Sequence, residues 1–522
     1  MWEIDSIGET FEVRVFKGFL EYLICFGIGV ALASHSASAF PSPAPVPQRD
    51  SAAQSAENLQ RQLNTEDASM RKAYFSNAPI SERLTIDYGG TFRYAFNIID
   101  TAQSKETYEQ VYDLRLFTSV ELDGAHRFYS RLRFLYNQWD FRGTRQIGPD
   151  YNDEGWQNPV GELYWYEFNL AGMIQTQTGA KPDYNFVAKM GRQYVIWGQG
   201  SALSNYMYAG IFDFSWRDFK LTTMIGQTAG ADTTDWDLSR PGFDTDTSRL
   251  YYGGKLEYSG LPGHRPYVYL LSQQDLNNGQ VALLPSGAPT IPTTFDYNST
   301  YLGFGSNGAI GADLVYRAEY MYEYGTTLSD PLSHSGGLDP VAQQDDRISA
   351  MAGVGGLTWL ARNEQDSRID FQIVAGSGSD QRLDPGNTFG GIAPGKVDTS
   401  FNSIGYVNTG LVLAPDFANL LCPSIGVSTT PLPGGGLFGG MRLGATAFAF
   451  MRIDNAAPLS FQTISGGSNY VGGEIDFSVE WRLMSDLDMN IRYGVFMPNS
   501  EIFPDNQGGA RDFVYAGVTY AF

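Results

Sequence analysis

Residues 470–483 read YVGGEIDFSVEWRL. Val471, Gly473, Ile475, Phe477, Val479, Trp481 and Leu483 take one parity, and Gly472, Glu474, Asp476, Ser478, Glu480 and Arg482 the other. Successive side chains of a strand point to opposite faces, so one face is apolar throughout and the other carries four charges. The pattern recurs. In 486–495 Leu487, Met489, Ile491, Tyr493 and Val495 oppose Asp488, Asn490 and Arg492. In 126–137 Phe128, Ser130, Leu132, Phe134 and Tyr136 oppose Arg127, Tyr129, Arg131, Arg133 and Asn137. In 311–325 Leu314, Tyr316, Ala318, Tyr320 and Tyr322 oppose Asp313, Arg317, Glu319 and Glu323.

A soluble sandwich also alternates. These strands run to ten residues or more, which is long for a sandwich and right for a tilted membrane span. The last strand, DFVYAGVTYAF, keeps Val514, Ala516, Val518, Tyr520 and Phe522 on one parity. A final strand ending on an aromatic residue resembles the signal read by the barrel assembly machinery of bacterial outer membranes. Composition agrees with an apolar outer wall. Only 18% of the 522 residues are charged, against about 25% in an average soluble domain. Aromatics reach 14%, with 59 glycines, which excludes disorder. Two cysteines exclude a disulfide scaffold or a cysteine-based zinc site. The formal charge of -22 argues against a nucleic-acid partner.

The expected fold class is therefore all-β: a transmembrane antiparallel β-barrel in the bacterial outer membrane, of about eighteen strands. The strands are read near 83–97, 108–122, 125–142, 160–171, 184–196, 206–215, 218–228, 249–259, 265–275, 296–306, 311–325, 346–362, 367–378, 401–413, 440–452, 470–483, 486–496 and 511–522. Tight turns then alternate with long outer loops, as barrels of this kind require. Two periplasmic connections break the rule, 172–183 and 414–439, the second rich in Gly and Pro. It either folds into the pore from below or hides a further hairpin.

The barrel spans 83–522. Ahead of it, 1–39 reads as a secretory signal: Lys17, an apolar stretch from Gly18 to Ala33, and small residues at Ala37-Ser38-Ala39. Cleavage removes Glu3, Asp5, Glu9, Glu12 and Glu21 with Arg14 and Lys17, three units of net negative charge. It also removes Cys25, leaving Cys422 alone. Residues 40–82 read as a periplasmic extension, Pro-rich at first and weakly helical after.

Three segments resemble the alginate export family of outer-membrane barrels: GRQYVIWGQGSALSNYMYAGIFDFSWRDFKLTTMIG (191–226), FNSIGYVNTGLVLAPDFANL (401–420) and YVGGEIDFSVEWRLMSDLDMNIRYGVFMPNSEIF (470–503). The resemblance implies an eighteen-stranded monomer whose arginine-rich constriction passes a linear polyuronate, and a periplasmic loop that can occlude the pore. On that resemblance 414–439 is the candidate occluding loop and Arg192 a candidate pore residue. The parity of Arg192 is awkward, since Lys189 faces the other side unless Gly191 marks a bulge.

The polar parity supplies the remaining candidate pore-lining residues: Arg93, Arg115, Arg131, Arg133, Lys255, Arg317, Arg368, Arg442, Arg482 and Arg492, with Glu319, Glu474, Asp476 and Glu480 among them. Arginine stays charged and its planar fork matches a carboxylate, so a ring of arginines selects anions. Arg127 and Arg452 complete a set of twelve basic residues, and twelve acidic residues share the same parity. The lumen is thus not plainly electropositive, unlike a dedicated polyanion exporter, and an anion-selective pore and a mixed-field pore both stand open.

Loop 229–248 carries Asp232, Asp235, Asp237, Asp244 and Asp246, read as a solvated outer loop because the spacing fits no EF-hand. His126, His264 and His334 fall in expected turns or loops, and no nucleophile, zinc or P-loop motif is present. No catalysis, cofactor or metal is expected. Passage of an alginate-like anionic polysaccharide, uptake of small solutes as a porin, and adhesion through acidic outer loops remain the functional readings. The expected partners are outer-membrane lipid, the assembly machinery, an acidic polysaccharide and periplasmic export components.

Overall fold

A computed structural model describes residues 84–522 apart from 101–106, 142–154, 231–232, 278, 286–289, 335–338, 460–466 and 504–508. The signal at 1–39, the extension at 40–82 and Asp232 lie outside the described residues. No helix among the described residues is long and apolar enough to cross a membrane.

The strands are β1 (Leu84–Ile99), β2 (Thr107–Leu122), β3 (His126–Phe141), β4 (Val160–Asn169), β5 (Tyr184–Trp197), β6 (Leu203–Trp216), β7 (Phe219–Thr228), β8 (Arg249–Tyr258) and β9 (His264–Asp275). They continue with β10 (Tyr297–Ile310), β11 (Leu314–Leu328), β12 (Asp345–Leu360), β13 (Arg368–Gly376), β14 (Leu420–Thr429), β15 (Met441–Arg452), β16 (Tyr470–Arg482), β17 (Leu487–Pro498) and β18 (Arg511–Ala521). Each pairs antiparallel with the next, and β1 pairs with β18, so eighteen strands form a closed barrel. A two-residue stub, Gly155–Trp156, adds to the upper part of β3, and a small hairpin, Val281–Pro285 with Thr290–Thr294, stands above the β9–β10 connection.

Closure removes the exposed sheet edges that would otherwise template aggregation. At the seam Thr91 opposes Ala521 and Ile99 opposes Phe513. Gly90 N–H donates to Phe522 O at 2.8 Å, and Phe522 N–H donates to Gly90 O at 3.0 Å. A Cβ on Gly90 would lie 2.6 Å from the Phe522 ring, so glycine here makes room for that side chain.

The apolar parity forms the outer wall. Phe128, Leu132, Leu256, Leu270, Phe304, Phe371, Val427 and Phe477 all stand exposed along it. So large an apolar surface is the hallmark of a lipid-facing band. His126 and His264 open β3 and β9 rather than lying in loops, and hydrogen bond Tyr166 (2.6 Å) and Tyr316 (2.9 Å) near the tight-turn end.

Three expectations need correction. The strand expected at 401–413 is not one. The fourteenth strand is Leu420–Thr429, inside the stretch expected to be a periplasmic plug. Only a short connection remains below, carrying the 3-10 turn Gly436–Phe438. Second, β4 ends at Asn169 and a short helix, α1 (Leu170–Thr178), fills most of the long connection after it. The Asn169 side chain accepts from Gly172 N–H at 3.1 Å, and Gly179 closes the helix at φ 74°, the usual polar start and left-handed stop. Third, loop 229–248 is solvated only in part: Asp246 is exposed and Asp244 half-buried, but Asp235 and Asp237 are buried.

Candidate functional site: a strap across the lumen

With β14 at 420–429, the long connection becomes 377–419, and it lies at the same end as the other long loops, the outer end of such a barrel. It does not stay above the rim. It leaves β13, crosses the lumen and meets the β5–β6 hairpin, close to half-way round the ring. Leu203 and Ile404 form a parallel β-bridge there. Ser204 N–H donates to Ile404 O (2.9 Å), Tyr406 N–H to Gly200 O (2.9 Å), and Ser403 Oγ–H to Ser201 O (2.8 Å). A Cβ on Gly405 would fall 1.8 Å from Ser201 O, so only glycine permits this approach.

Buried glutamates hold the assembly. Glu474 on β16 accepts from the backbone N–H groups of Leu411 (2.6 Å), Val412 (2.8 Å) and Leu413 (3.0 Å). Glu323 on β11 accepts from Asn402 N–H (3.0 Å) and Tyr297 O–H (2.7 Å). Glu319, two pleat repeats below, accepts from Gln199 N–H (2.7 Å), from Tyr269 O–H (3.1 Å) and from Tyr267 O–H. Irregular backbone inside a barrel must find partners for its N–H groups, and here carboxylates supply them. Phe401, Ile404, Leu411 and Val412 pack against Tyr301, Phe448 and Phe450 of the inner wall, giving the lumen an apolar core at this level.

A second layer braces the strap from outside. Asp235 receives Arg249 Nε–H (2.8 Å) and Arg240 Nη1–H (2.8 Å). Burial works against its ionisation, but Arg249 and Arg240 outweigh that and hold the Asp235 carboxyl well below the usual range. Asp237 receives Thr388 O–H at 2.5 Å and Ser239 O–H at 2.6 Å, tying loop 229–248 to the strap, and burial pushes its carboxyl up. Within the strap Arg382 grips Asp398 at 2.5 Å and 2.9 Å. Burial also pushes the Asp384 carboxyl up to about 6, against the opposing pull of Gly386 N–H and Arg382.

The other sequence-selected residues divide by neighbourhood. Arg93 (2.8 Å), Arg115 (3.1 Å) and Arg133 (3.2 Å) converge on Asp113, while Arg115 (3.3 Å) and Arg131 (2.5 Å) share Glu162. Glu162 escaped the sequence reading because it sits at the β3–β4 register shift, where parity is lost. Arg368 and Arg442 share Asp366 near the tight-turn end, and Arg482 faces Asp488 at 3.5 Å. Lys255 lies about the rings of Trp197 and Tyr267. Arg317, Asp476, Glu480 and Arg492 line one cavity of about 400 Å³ with strap residues Tyr406, Val407, Asn408 and Leu411. Arg192 lies in a cross-strand row with Tyr164 and Tyr208, whose rings are exposed on the outer wall, and its guanidinium stacks on Tyr208. The ladder runs in register through Gly191, while Lys189 stacks instead on Trp165.

A closed eighteen-stranded barrel with an apolar outside, a charged inside and a loop folded across the lumen defines an outer-membrane channel. The chain belongs to the alginate export family, whose model matches residues 174–510. It is a bacterial outer-membrane protein. Similar solved structures include a BenF-like porin from Pseudomonas fluorescens Pf-5, at 11% identity and a TM-score of 0.49, covering 84% of this chain and 98% of that one. They also include Acinetobacter baumannii OccAB1 (11%, 0.48, 84% and 97%) and Pseudomonas aeruginosa OpdO (11%, 0.45, 84% and 97%). No curated protein sequence matches the chain.

Proposed function

We propose that this channel passes a linear anionic polysaccharide of the alginate type, one sugar acid at a time, beneath the strap. The observation that carries the reading is the arginine excess on the wall of β1–β3. Four guanidiniums, those of Arg93, Arg115, Arg131 and Arg133, stand among three buried carboxylates, Asp113 and Glu162 in ion pairs and Glu109 beside Arg93 and Arg133. A fixed local excess of positive charge inside a low-dielectric wall favours anions, and Arg133, the one of the four that is not buried, gives a polyuronate carboxylate a weak, exchangeable site. Arg317, Arg368, Arg442, Arg482 and Arg492 extend such sites along the barrel, and Glu319 and Glu474 shape the constriction by holding the strap. Family membership supports the same cargo.

Uptake of small solutes through the same lumen is the competing reading, favoured by the cavity of about 940 Å³ that the strap leaves inside the barrel. Adhesion through acidic loops has less support, since Asp235 and Asp237 are fully buried. In planar bilayers we expect anion-selective conductance that alginate oligomers block. Cation-selective conductance indifferent to those oligomers would remove the polysaccharide reading and leave the porin one.

A further inference from the structure

Among the sequence-selected cations Arg317 stands apart. It is exposed, and among the described residues it forms no ion pair. Its guanidinium instead lies along the wall. Arg317 on β11 pairs with Gly356 on β12, and Gly356 pairs with Gln372 on β13. A Cβ on Gly356 would lie 2.7 Å from Arg317 Nε, so this glycine is a saddle over which the side chain reaches two strands away. There Arg317 Nη2–H donates to Gln372 Oε1. Gln372 Nε2–H in turn donates to the backbone oxygen of Asn408, in the strap, at 2.7 Å. The orientation of the amide is forced from both sides, because a guanidinium only donates and a carbonyl only accepts.

Asn408 sits in the one stretch of the strap's far half that the glutamates and the hairpin leave between them. Ile404 and Tyr406 are fixed to the β5–β6 hairpin, and Leu411 to Leu413 are fixed to Glu474. Gly410, at φ 105° and close against the Glu474 carboxylate, makes a bend inside that span that other residues rarely adopt. Arg317 and Asn408 also line both the 400 Å³ cavity and a larger one of about 940 Å³ reaching toward the tight-turn end through Asn307, Thr358 and Ser424. The arch 407–410 thus separates two chambers, and the relay from Arg317 through Gln372 is the side-chain support beneath it.

We propose that Arg317 is a carboxylate site for the transported sugar acid and that its occupation unlatches the arch. This rests on the anionic-polysaccharide reading above. A carboxylate offers Arg317 a bidentate, charge-assisted partner in place of one neutral amide. Gln372 then loses the donor that orients it, its amide is free to turn, and Asn408 loses its support. Cargo arriving from the periplasmic chamber would open the passage it needs, while the empty channel stays narrow.

The test uses the full-length channel in planar bilayers, with alginate trisaccharide added on the periplasmic side. In the wild type the trisaccharide should lengthen the open dwell time about tenfold, the loss of one hydrogen bond of ordinary net strength. Gln372→Leu should show the long dwell without ligand. Gly356→Ala, which lifts Arg317 off the wall but keeps its charge, should do the same and still bind trisaccharide. Arg317→Gln should show no response to it. β-Sheet circular dichroism confirms that each variant is folded. A wild type that trisaccharide blocks, with dwell times equal in Gln372→Leu and Gly356→Ala, overturns the latch alone. A wild type indifferent to trisaccharide in both block and dwell overturns the anionic-polysaccharide reading, and this site falls with it.

Discussion

Leu203 and Ile404 form a parallel β-bridge between a hairpin on one side of the barrel and a strap rooted on the other. Among the described residues the barrel strands pair antiparallel with their neighbours, and the other parallel bridge to the strap, Ile348 with Asp398, lies on β12 beside its root, far from the Leu203–Ile404 bridge. The latter joins distant walls, so it fixes the bore of the channel. The strap is irregular over most of its length and depends on side-chain acceptors to stay inside.

Glu474 is the heaviest of those anchors. Glu474→Ala would leave three buried N–H groups, of Leu411, Val412 and Leu413, without their acceptor. Each orphaned donor costs on the order of 1–3 kcal/mol unless water reaches it. We expect the strap to detach locally while the barrel persists, because none of those groups belongs to a β-ladder. Single-channel recording should show higher, noisier conductance, and hydrogen exchange should speed up across 411–413. Unchanged conductance would mean that the strap does not set the bore.

Most strands of the barrel were legible in the sequence, because a strand with lipid on one side and polar lumen on the other alternates, except at a bulge such as that at Glu162. The strap was not, and the reason is physical. Residues 401–413 carry Phe401, Ile404, Leu411 and Val412, which are buried, but against the inner wall rather than in a ladder. Residues 420–429 look unlike a strand because of Pro423 and Gly426. In the structure the β14–β15 ladder pairs Leu421 with Met451 and Ser424 with Phe448, on either side of Pro423, which has no N–H to give. Swapping those two segments reversed the end from which the lumen is filled. Parity also found Glu319 and Glu474 as inward-facing, but it could not say that their oxygens bind backbone rather than cargo.

Asp384 makes the base of the strap lose stability as pH rises. Its carboxyl is pushed up to about 6 by burial, while an unfolded aspartate titrates near 3.9. The unfolded segment therefore holds fewer protons between those values, and local stability falls as pH rises from about 4 to 6, by roughly 3 kcal/mol at most. It is greatest below that window and flat above it. Protection factors across 382–391, corrected for the intrinsic pH dependence of amide exchange, should be higher at pH 4.5 than at pH 7, and Asp384→Asn should abolish the difference.

The seam offers a stability test. A Cβ on Gly90 would lie 2.6 Å from the Phe522 ring and 2.8 Å from Arg115 O. Gly90→Val places still more bulk there, on the strand that closes the barrel. Overpacking of this kind costs roughly 1–3 kcal/mol. We expect a lower unfolding temperature in detergent, with heat-modifiable gel mobility lost earlier than in the wild type. Gly254→Ala is the control, since nothing lies within 4 Å of a Cβ there.

Asp113 sets the balance of charge on the β1–β3 wall, and changing it separates stability from selectivity. Its carboxylate receives Arg93, Arg115 and Arg133. Asp113→Asn preserves shape and removes the negative charge on which Arg93, Arg115 and Arg133 converge. Breaking a buried ion cluster from one side costs about 3–5 kcal/mol, since it takes one carboxylate from among buried cations. The same imbalance should strengthen anion preference. Reversal potentials in a potassium chloride gradient should shift toward the chloride potential, and alginate oligomers should block at lower concentration. Arg133→Gln in the Asp113→Asn background should restore both stability and selectivity part of the way, because it removes one uncompensated charge. Should the single substitution leave the reversal potential where it is, the β1–β3 arginines lie off the path of the permeating ion, and the selectivity of the channel must come from the wall around Arg317.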